Sequence, residues 1–305
     1  MIANLAEKLI DLAVVRPVRR STMLQKLVRH VANAVPVLPH SNYAGRTRYV
    51  QMKELFIRNG DGSPFGRGVR SQLVERFEWI HRNIRTASTA TDALVMAEAL
   101  LSLECEGDVV ECGCFNGGST AKLSVLAKLV GRKLHVFDSF EGLPEPNEGQ
   151  AQELNARLGE EVEWAQGQYA APLERVQANV ERYGDVSVCT FHKGWFSETL
   201  NASRLPGRIA LAFTDVDLVS SARDCLVGIW PRLSVGGIYF SHDMAFVGVL
   251  QVFADKHLWR DLFREPVPIF FGAGFGLCDA SPKLGYMVKG SDLSADYLKR
   301  LMRQE

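Results

Sequence analysis

Val109-Val-Glu-Cys-Gly-Cys-Phe-Asn-Gly-Gly-Ser-Thr120 is the stretch whose reading decides the fold. A short apolar run meets an acidic residue, and three glycines follow at positions 113, 117 and 118. Gly113 permits a tight turn at a strand end, while Gly117 and Gly118 open a helix and let a ligand approach the backbone. That helix reads from Ser119 to Val130. Twenty residues beyond Gly118, a second apolar run, Leu134-His-Val-Phe137, ends at Asp138. A strand, a glycine turn, a helix and a second strand ending in an acid make a nucleoside-binding unit, the acid taking two ribose hydroxyls.

Downstream the same alternation continues. Apolar runs at Val186 to Phe191, Ile209 to Phe213, Gly237 to Phe240 and Leu284 to Val288 are separated by helical stretches, Ser221 to Pro231 being the clearest. This predicts an α/β fold whose mostly parallel sheet is covered on both faces. Val267 to Phe271 and Leu284 to Val288 are expected to pair as an antiparallel hairpin at the sheet edge. Upstream the pattern is helical: Leu24 to Val35, Val50 to Ile57, Leu73 to Ile84, and a helix capped by Thr91 or Asp92 that runs through Leu101. The glycine-rich Asn59 to Gly68 reads as a mobile segment over a site. Two regions follow: residues 1–104, helical, for lid, acceptor or subunit contacts, and residues 105–305, a cofactor-binding domain.

The 305 residues carry 35 Lys+Arg and 35 Asp+Glu, and 47% are hydrophobic. That balance excludes disorder, a collagen-like repeat and a polycation built for nucleic acid. The zero is a sum of two halves. Residues 1–70 hold 12 basic and 4 acidic side chains, net +8, and residues 71–305 hold 23 and 31, net −8. The basic arm (Arg16, Arg19, Arg20, Lys26, Arg29) suits docking on the acidic body, subunit pairing, or contact with an anionic acceptor or membrane surface. The six cysteines have no second pair at zinc-site spacing, which fits reduced thiols: Cys112 as packing, Cys114 as loop. No run of 18 apolar residues occurs, and Glu7, Lys8 and Asp11 break any signal-peptide pattern. A cytoplasmic homo-oligomer is expected.

The cofactor follows from charge. The loop spacing is G-x-x-x-G-G rather than G-x-G-x-x-G, Glu111 precedes it, and it contains no Lys or Arg. S-adenosylmethionine carries a sulfonium and an ammonium against one carboxylate, so a carboxylate such as Glu111 attracts it and repels a pyrophosphate. Methyl transfer to a hydroxyl then needs a base, a bound cation, or both. Thr214-Asp-Val-Asp217 and Ser241-His-Asp243 put acidic clusters at the mouths of two strands, where they can converge on one cation or simply cap the following helices.

Val136-Phe-Asp-Ser-Phe-Glu-Gly-Leu-Pro-Glu145, with Val110-Glu-Cys-Gly113, Gly194-Trp-Phe-Ser-Glu-Thr-Leu200, Asp215-Val-Asp-Leu218, Pro231-Arg-Leu-Ser-Val-Gly-Gly237 and His242-Asp243, resembles the macrocin O-methyltransferase family, well over 105–260 and loosely at the ends. The resemblance implies a Rossmann-like class I methyltransferase with a seven-stranded sheet, acting on a hydroxyl of a sugar or glycosylated natural product. By it, Glu111 and Gly113 hold the methionine portion, Asp138 takes the ribose, and Trp195 and Phe196 lie by the adenine. Gly117, Gly118, Ser119, Ser139 and Asp215 complete the cofactor set. Asp215, His242 and Asp243 match the metal ligands and Asp217 the base. The chain departs from the family's usual Asp-Gly-Asp at Asp215-Val-Asp217, and from its usual two acids at His242-Asp243. An imidazole in place of a carboxylate weakens magnesium and favours manganese, iron or zinc-like ions, and it makes His242 a second candidate base. The expected cofactors are S-adenosylmethionine and a divalent cation, Mg2+ or Mn2+. The alternatives are an NAD-dependent oxidoreductase on a similar fold and a catalytically silent binding protein.

Overall fold

The computed structural model describes residues 43–147 and 151–290. The expected Leu24 to Val35 helix and the basic arm lie outside the described residues. The sheet is built from β1 (Asp108–Cys112), β2 (Leu134–Asp138), β5 (Cys189–Lys193), β6 (Ile209–Thr214), β7 (Leu233–Ser241) and β8 (Gly285–Val288), in the order β5-β2-β1-β6-β7-β8. Five strands are parallel, and β8 runs antiparallel to β7. The described sheet thus has six strands where seven were expected. The chain leaves β1 toward β2 on one side and returns to β6 on the other, which opens a crevice above the β1 and β6 ends, where ligands bind in such sheets.

Successive residues of β1 supply both faces: Val109 belongs to one core and Val110 to the other. The first core takes α1 (Tyr43–Arg58), α2 (Arg67–Asn83), α3 (Ala90–Ser102), α4 (Gly118–Leu129) and α5 (Leu173–Tyr183). Phe56, Phe77, Leu94, Leu123 and Val176 meet there with Phe213 and Phe240 of the sheet. The helices before residue 104 therefore share one core with the sheet. The second core packs α6 (Val219–Ile229) and α7 (Val247–Phe253), through Ala222, Leu226, Val249 and Phe253, on Val110, Phe137 and Tyr239. Among the described residues no helix is long and apolar enough to cross a membrane.

Four details differ from the sequence reading. Helix α3 is capped by Thr89, and Asp92 closes the capping box from its third position. The Asn59 to Gly68 turn is pinned between α1 and α2, the Arg70 guanidinium donating to the carbonyls of Phe56 (3.0 Å) and Phe65 (3.1 Å). Val267 to Phe271 forms no strand and makes one bridge, Phe271 to Tyr286, because Pro266 and Pro268 have no N–H to give a ladder. An antiparallel hairpin, β3 (Gln152–Asn155) with β4 (Glu160–Glu163), stands where polar composition gave no strand signal.

Candidate active site

The loops leaving β1, β2, β5 and β6 open on one cavity. Gly113, Cys114, Phe115 and Ser119 line it from the first loop, Asp138 and Ser139 from the second, Trp195 and Phe196 from the third, and Asp215 and Asp217 from the fourth. Thr86 and Ala87, between α2 and α3, close one wall, and Tyr169 and Lys283 another. The 59–68 turn does not border it, so the expected lid is a helix–helix corner. Glu111, Gly117, Gly118, His242 and Asp243 lie behind the lining.

At the β1–β2 end, Gly113 has φ +83°, and a Cβ there would stand 1.9 Å from the Asp215 carbonyl oxygen. Only glycine lets the first and fourth loops touch. Gly117 and Gly118 serve packing: a Cβ on Gly118 would come 2.6 Å from that of Thr86. The Asp138 carboxylate accepts from the backbone N–H groups of Cys114 and Phe140, both at 2.7 Å, which leaves a lone pair on each oxygen for a diol. Gly194 N–H donates to the Asp138 carbonyl at 3.0 Å and brings Trp195 and Phe196 alongside. Ser139 Oγ donates to the Gly142 carbonyl (2.8 Å) and holds the turn. Cys114, expected in the loop, lies there and is buried.

Glu111 is wholly buried, and neither carboxylate oxygen has a hydrogen-bond partner among the described residues. Burial pushes its carboxyl up to about 8; the nearby Ser119 and Thr120 hydroxyls pull down, and Asp138 and Asp215 push further up. Behind it Lys122, also buried, is pushed down to about 8 by the same desolvation, against the pull of Asp92 and Glu111.

At the β6–β7 end, ligand atoms of Asp215, His242 and Asp243 lie within 4.8 Å of one another. Asp243 Oδ2 accepts from the N–H groups of Val216 (2.9 Å) and Asp217 (3.1 Å), which fixes a turn where Asp217 holds φ +58°. Its other oxygen is buried and unpartnered among the described residues. Burial raises the Asp243 carboxyl to about 6, with Asp215 adding to the rise. Asp217 is raised well above the carboxylate range by burial and by the charges of Asp243 and Asp215, with Lys283 and His242 opposing. His242 is 2% exposed. Its Nε2 lies 3.2 Å from Asp92 Oδ2, and its Nδ1 lies 3.3 Å from Asp215 Oδ1 without hydrogen-bond geometry. Burial disfavours the imidazolium, but the two carboxylates outweigh it and raise His242 to about 10. The ring stands behind the cavity lining, with Asp92 on one side and Asp215 on the other.

Three residues escaped the sequence reading. Lys283, from the segment before β8, is held charged by Asp215, Asp217 and Asp243 despite burial and stacks over Phe246 at 5.4 Å. Tyr169 stands edge-on to Phe115, with ring centroids 5.5 Å apart. Asp92 had been read only as a helix cap.

Residues 91–267, more than half of the chain, match the family model described as macrocin O-methyltransferase (TylF). The chain belongs to the TylF family. One relative, 40% identical over 154 residues (48% of this chain and 57% of the relative), is the 8-demethyl-8-(2,3-dimethoxy-alpha-L-rhamnosyl)-tetracenomycin-C 4'-O-methyltransferase of Streptomyces olivaceus. Another is the demethyldecarbamoylnovobiocin O-methyltransferase of Streptomyces niveus, 31% identical over 143 residues (45% of this chain, 52% of the relative). The chain thus spans about half the length of the curated relatives it matches. The solved O-methyltransferase NovP superposes with TM-score 0.52 at 18% identity, covering 80% of this chain and 98% of that one, a likeness of fold. The TylF match takes in both acidic ends of the cavity and stops before Lys283.

Proposed function

We propose that the protein is an S-adenosylmethionine-dependent O-methyltransferase that acts on a hydroxyl of a sugar or glycosylated natural product. The observation that carries this reading is one cavity with a carboxylate held by backbone N–H groups, Asp138, at one end and a buried carboxyl of raised pKa, Asp217, at the other. The relatives methylate a rhamnosyl-tetracenomycin and a novobiocin precursor, which makes a deoxysugar hydroxyl the first acceptor class to try.

The cofactor, when bound, supplies an electrophilic methyl on a sulfonium. Asp138 takes the ribose diol, Trp195 and Phe196 offer aromatic area beside it, and the orphaned Glu111 carboxylate behind Ser119 favours a cationic amino-acid portion. Asp217 accepts the proton of the acceptor hydroxyl as its oxygen attacks. Its raised pKa makes it a stronger base, a step worth typically ~10²–10⁴-fold. Lys283 beside it limits how far that pKa rises.

A divalent cation fits the second end, since among the described residues Asp243 Oδ1 and His242 Nδ1 are buried without a hydrogen-bond partner and Asp215 adjoins them. These three residues would hold it, and it would acidify the acceptor hydroxyl. One nitrogen donor among oxygens tilts the choice from magnesium toward manganese. Residues 1–104 are read as serving lid, acceptor or subunit contacts, contributing Thr86 and Ala87 to the wall, and residues 105–305 as the cofactor-binding domain. A cytoplasmic homo-oligomer is the assembly we expect, checked by sedimentation.

The test is calorimetric titration with S-adenosylmethionine and with NAD, followed by transfer of labelled methyl to rhamnosylated aromatic polyketides. Binding of the first cofactor and a labelled glycoside are expected. NAD binding in its place, or cofactor binding with no transfer to any deoxysugar glycoside, overturns the reading.

A further inference from the structure

We propose that Asp92 is the positioning residue of the aspartate–histidine cluster: by accepting the Nε2 hydrogen of His242 it leaves Nδ1 as the nitrogen presented to Asp215 and Asp243. The inference rests on the cation-binding reading above.

Asp92 sits at the third position of α3, where a capping box asks it for one acceptor, toward the Thr89 N–H. That bond is made, at 2.6 Å to Oδ2. The carboxylate does more than cap. The same Oδ2 lies 3.2 Å from His242 Nε2, a partner 150 residues away in sequence, and Oδ1 accepts from the Ser281 hydroxyl. Asp92 is entirely buried. A buried carboxylate is tolerated only when its lone pairs are met, so the three donors, from three separate segments, fix its orientation. Helix capping explains one of them.

The His242 bond has a chemical consequence. A cation on His242 would displace its second ring proton; the imidazole then carries one N–H, and the partner of that N–H decides which nitrogen keeps a lone pair. With Nε2–H given to Asp92, the lone pair is on Nδ1, 3.3 Å from Asp215 Oδ1 and in one cluster with Asp243, whose Oδ1 has no hydrogen-bond partner among the described residues. Without Asp92, the ring would give its N–H to Asp215 and turn the lone pair away from the cluster. An imidazole backed by a carboxylate also presents to a cation the formal charge of a carboxylate, −1. The same anchor reaches the neighbouring wall: Thr89 Oγ1 donates to the Ala280 carbonyl at 2.9 Å, so the 280–283 segment that carries Lys283 is tied to the start of α3 twice. A helix of the N-terminal region thus sets the geometry of a cluster made by β6 and β7.

The test is Mn2+ titration by electron paramagnetic resonance on the full chain and on D92A, D92N, H242N and D92A/H242N, with melting curves confirming folding. Loss of an outer partner of a metal-bound histidine costs ~10–100-fold in affinity, and that loss is expected for D92A. D92N should recover most of it, because its amide oxygen still accepts from Nε2. In the H242N background, D92A should change affinity by less than about twofold, since the coupling is gone. A purely structural role predicts equal losses in both backgrounds, and that result overturns the proposal, as does a D92A that binds like wild type. Should D92A not fold, ¹⁵N imidazole NMR of the Zn2+-loaded wild type decides it: a proton on Nε2 and none on Nδ1 is expected, and the reverse refutes it. A wild type that binds no divalent ion overturns the cation reading and this inference together; one that binds while D92A is unaffected overturns this inference alone.

Discussion

The two ends of the cavity use the same part, a carboxylate at the mouth of a parallel strand, and differ in what surrounds it. Among the described residues, at the β1–β2 end Asp138 is met by two backbone N–H groups, Glu111 has no hydrogen-bond partner, and no basic side chain lines the wall. At the β6–β7 end, His242 lies between Asp92 and Asp215, and Lys283 faces three aspartates. Backbone donors orient a carboxylate while leaving most of its charge for a ligand; side-chain cations cancel much of it internally. The first end is therefore suited to hold a cationic cofactor, and the second to move a proton beside the cluster of Asp215, His242 and Asp243 that would hold a metal ion.

Removing the proton acceptor should separate the two ends most sharply. Asp217→Asn is expected to lower kcat by ~10²–10⁴-fold, with cofactor Kd within about twofold of wild type because the sites are distinct. Single-turnover rates and calorimetry check it. A weakened Kd at unchanged kcat would reverse the assignment of the ends.

Gly113 is where the ends touch, and Gly113→Ala should damage both. With its Cβ 1.9 Å from the Asp215 carbonyl at a positive φ, strain and overpacking together cost about 2–4 kcal/mol. Urea melts measure this, and a stable variant with intact cofactor binding would show the contact to be dispensable. Asp138→Ala comes next. Loss of hydrogen bonds to a charged acceptor, at about 1.5–3 kcal/mol each, should weaken cofactor binding roughly tenfold or more, leaving the pH dependence of transfer unchanged.

The β1–β2 end was legible in sequence because its parts are contiguous: the glycines, the strand ends and Asp138 fall within thirty residues, and each signal is a backbone requirement. Asp215, Asp217 and Asp243 were legible for the same reason, as strand ends. What escaped is what reaches the second end from elsewhere. Asp92 and Lys283 meet His242 and the aspartates only through the folded core, so no spacing announces them; Asp92 adds to the pull by which Asp215 raises His242, and the aspartates raise Lys283. The β3–β4 hairpin escaped because Gln152–Asn155 and Glu160–Glu163 hold too few apolar residues to mark a strand.

Glu111 gives the comparison a pH test. Its carboxyl stands at about 8 in the fold against an ordinary 4.5. Between those values the folded protein binds more protons than the unfolded chain, so stability is fully present below about pH 4.5 and falls as pH rises toward 8, by at most ~1.4 kcal/mol per pH unit. Glu111→Gln should flatten that slope, and saturating S-adenosylmethionine should flatten it in wild type by favouring the ionised form. Urea melts at pH 6 and 8 test both, and a slope indifferent to the cofactor would remove Glu111 from the cofactor-holding end.

The smallest expected effect tests whether the second end carries its own balance. A base must be deprotonated to act, so transfer by Asp217 rises with pH and is lost below its pKa. Lys283 lowers that pKa. In Lys283→Met, an uncharged side chain of similar length, the acid limb of the kcat profile should therefore move upward by about half to one pH unit, while the alkaline plateau and the cofactor Kd stay near wild type. Because Lys283 also lines the cavity, the acceptor KM separates two roles. A shifted limb at unchanged KM assigns Lys283 to tuning Asp217, whereas a raised KM with an unmoved limb makes it an acceptor contact and leaves burial alone to set the base.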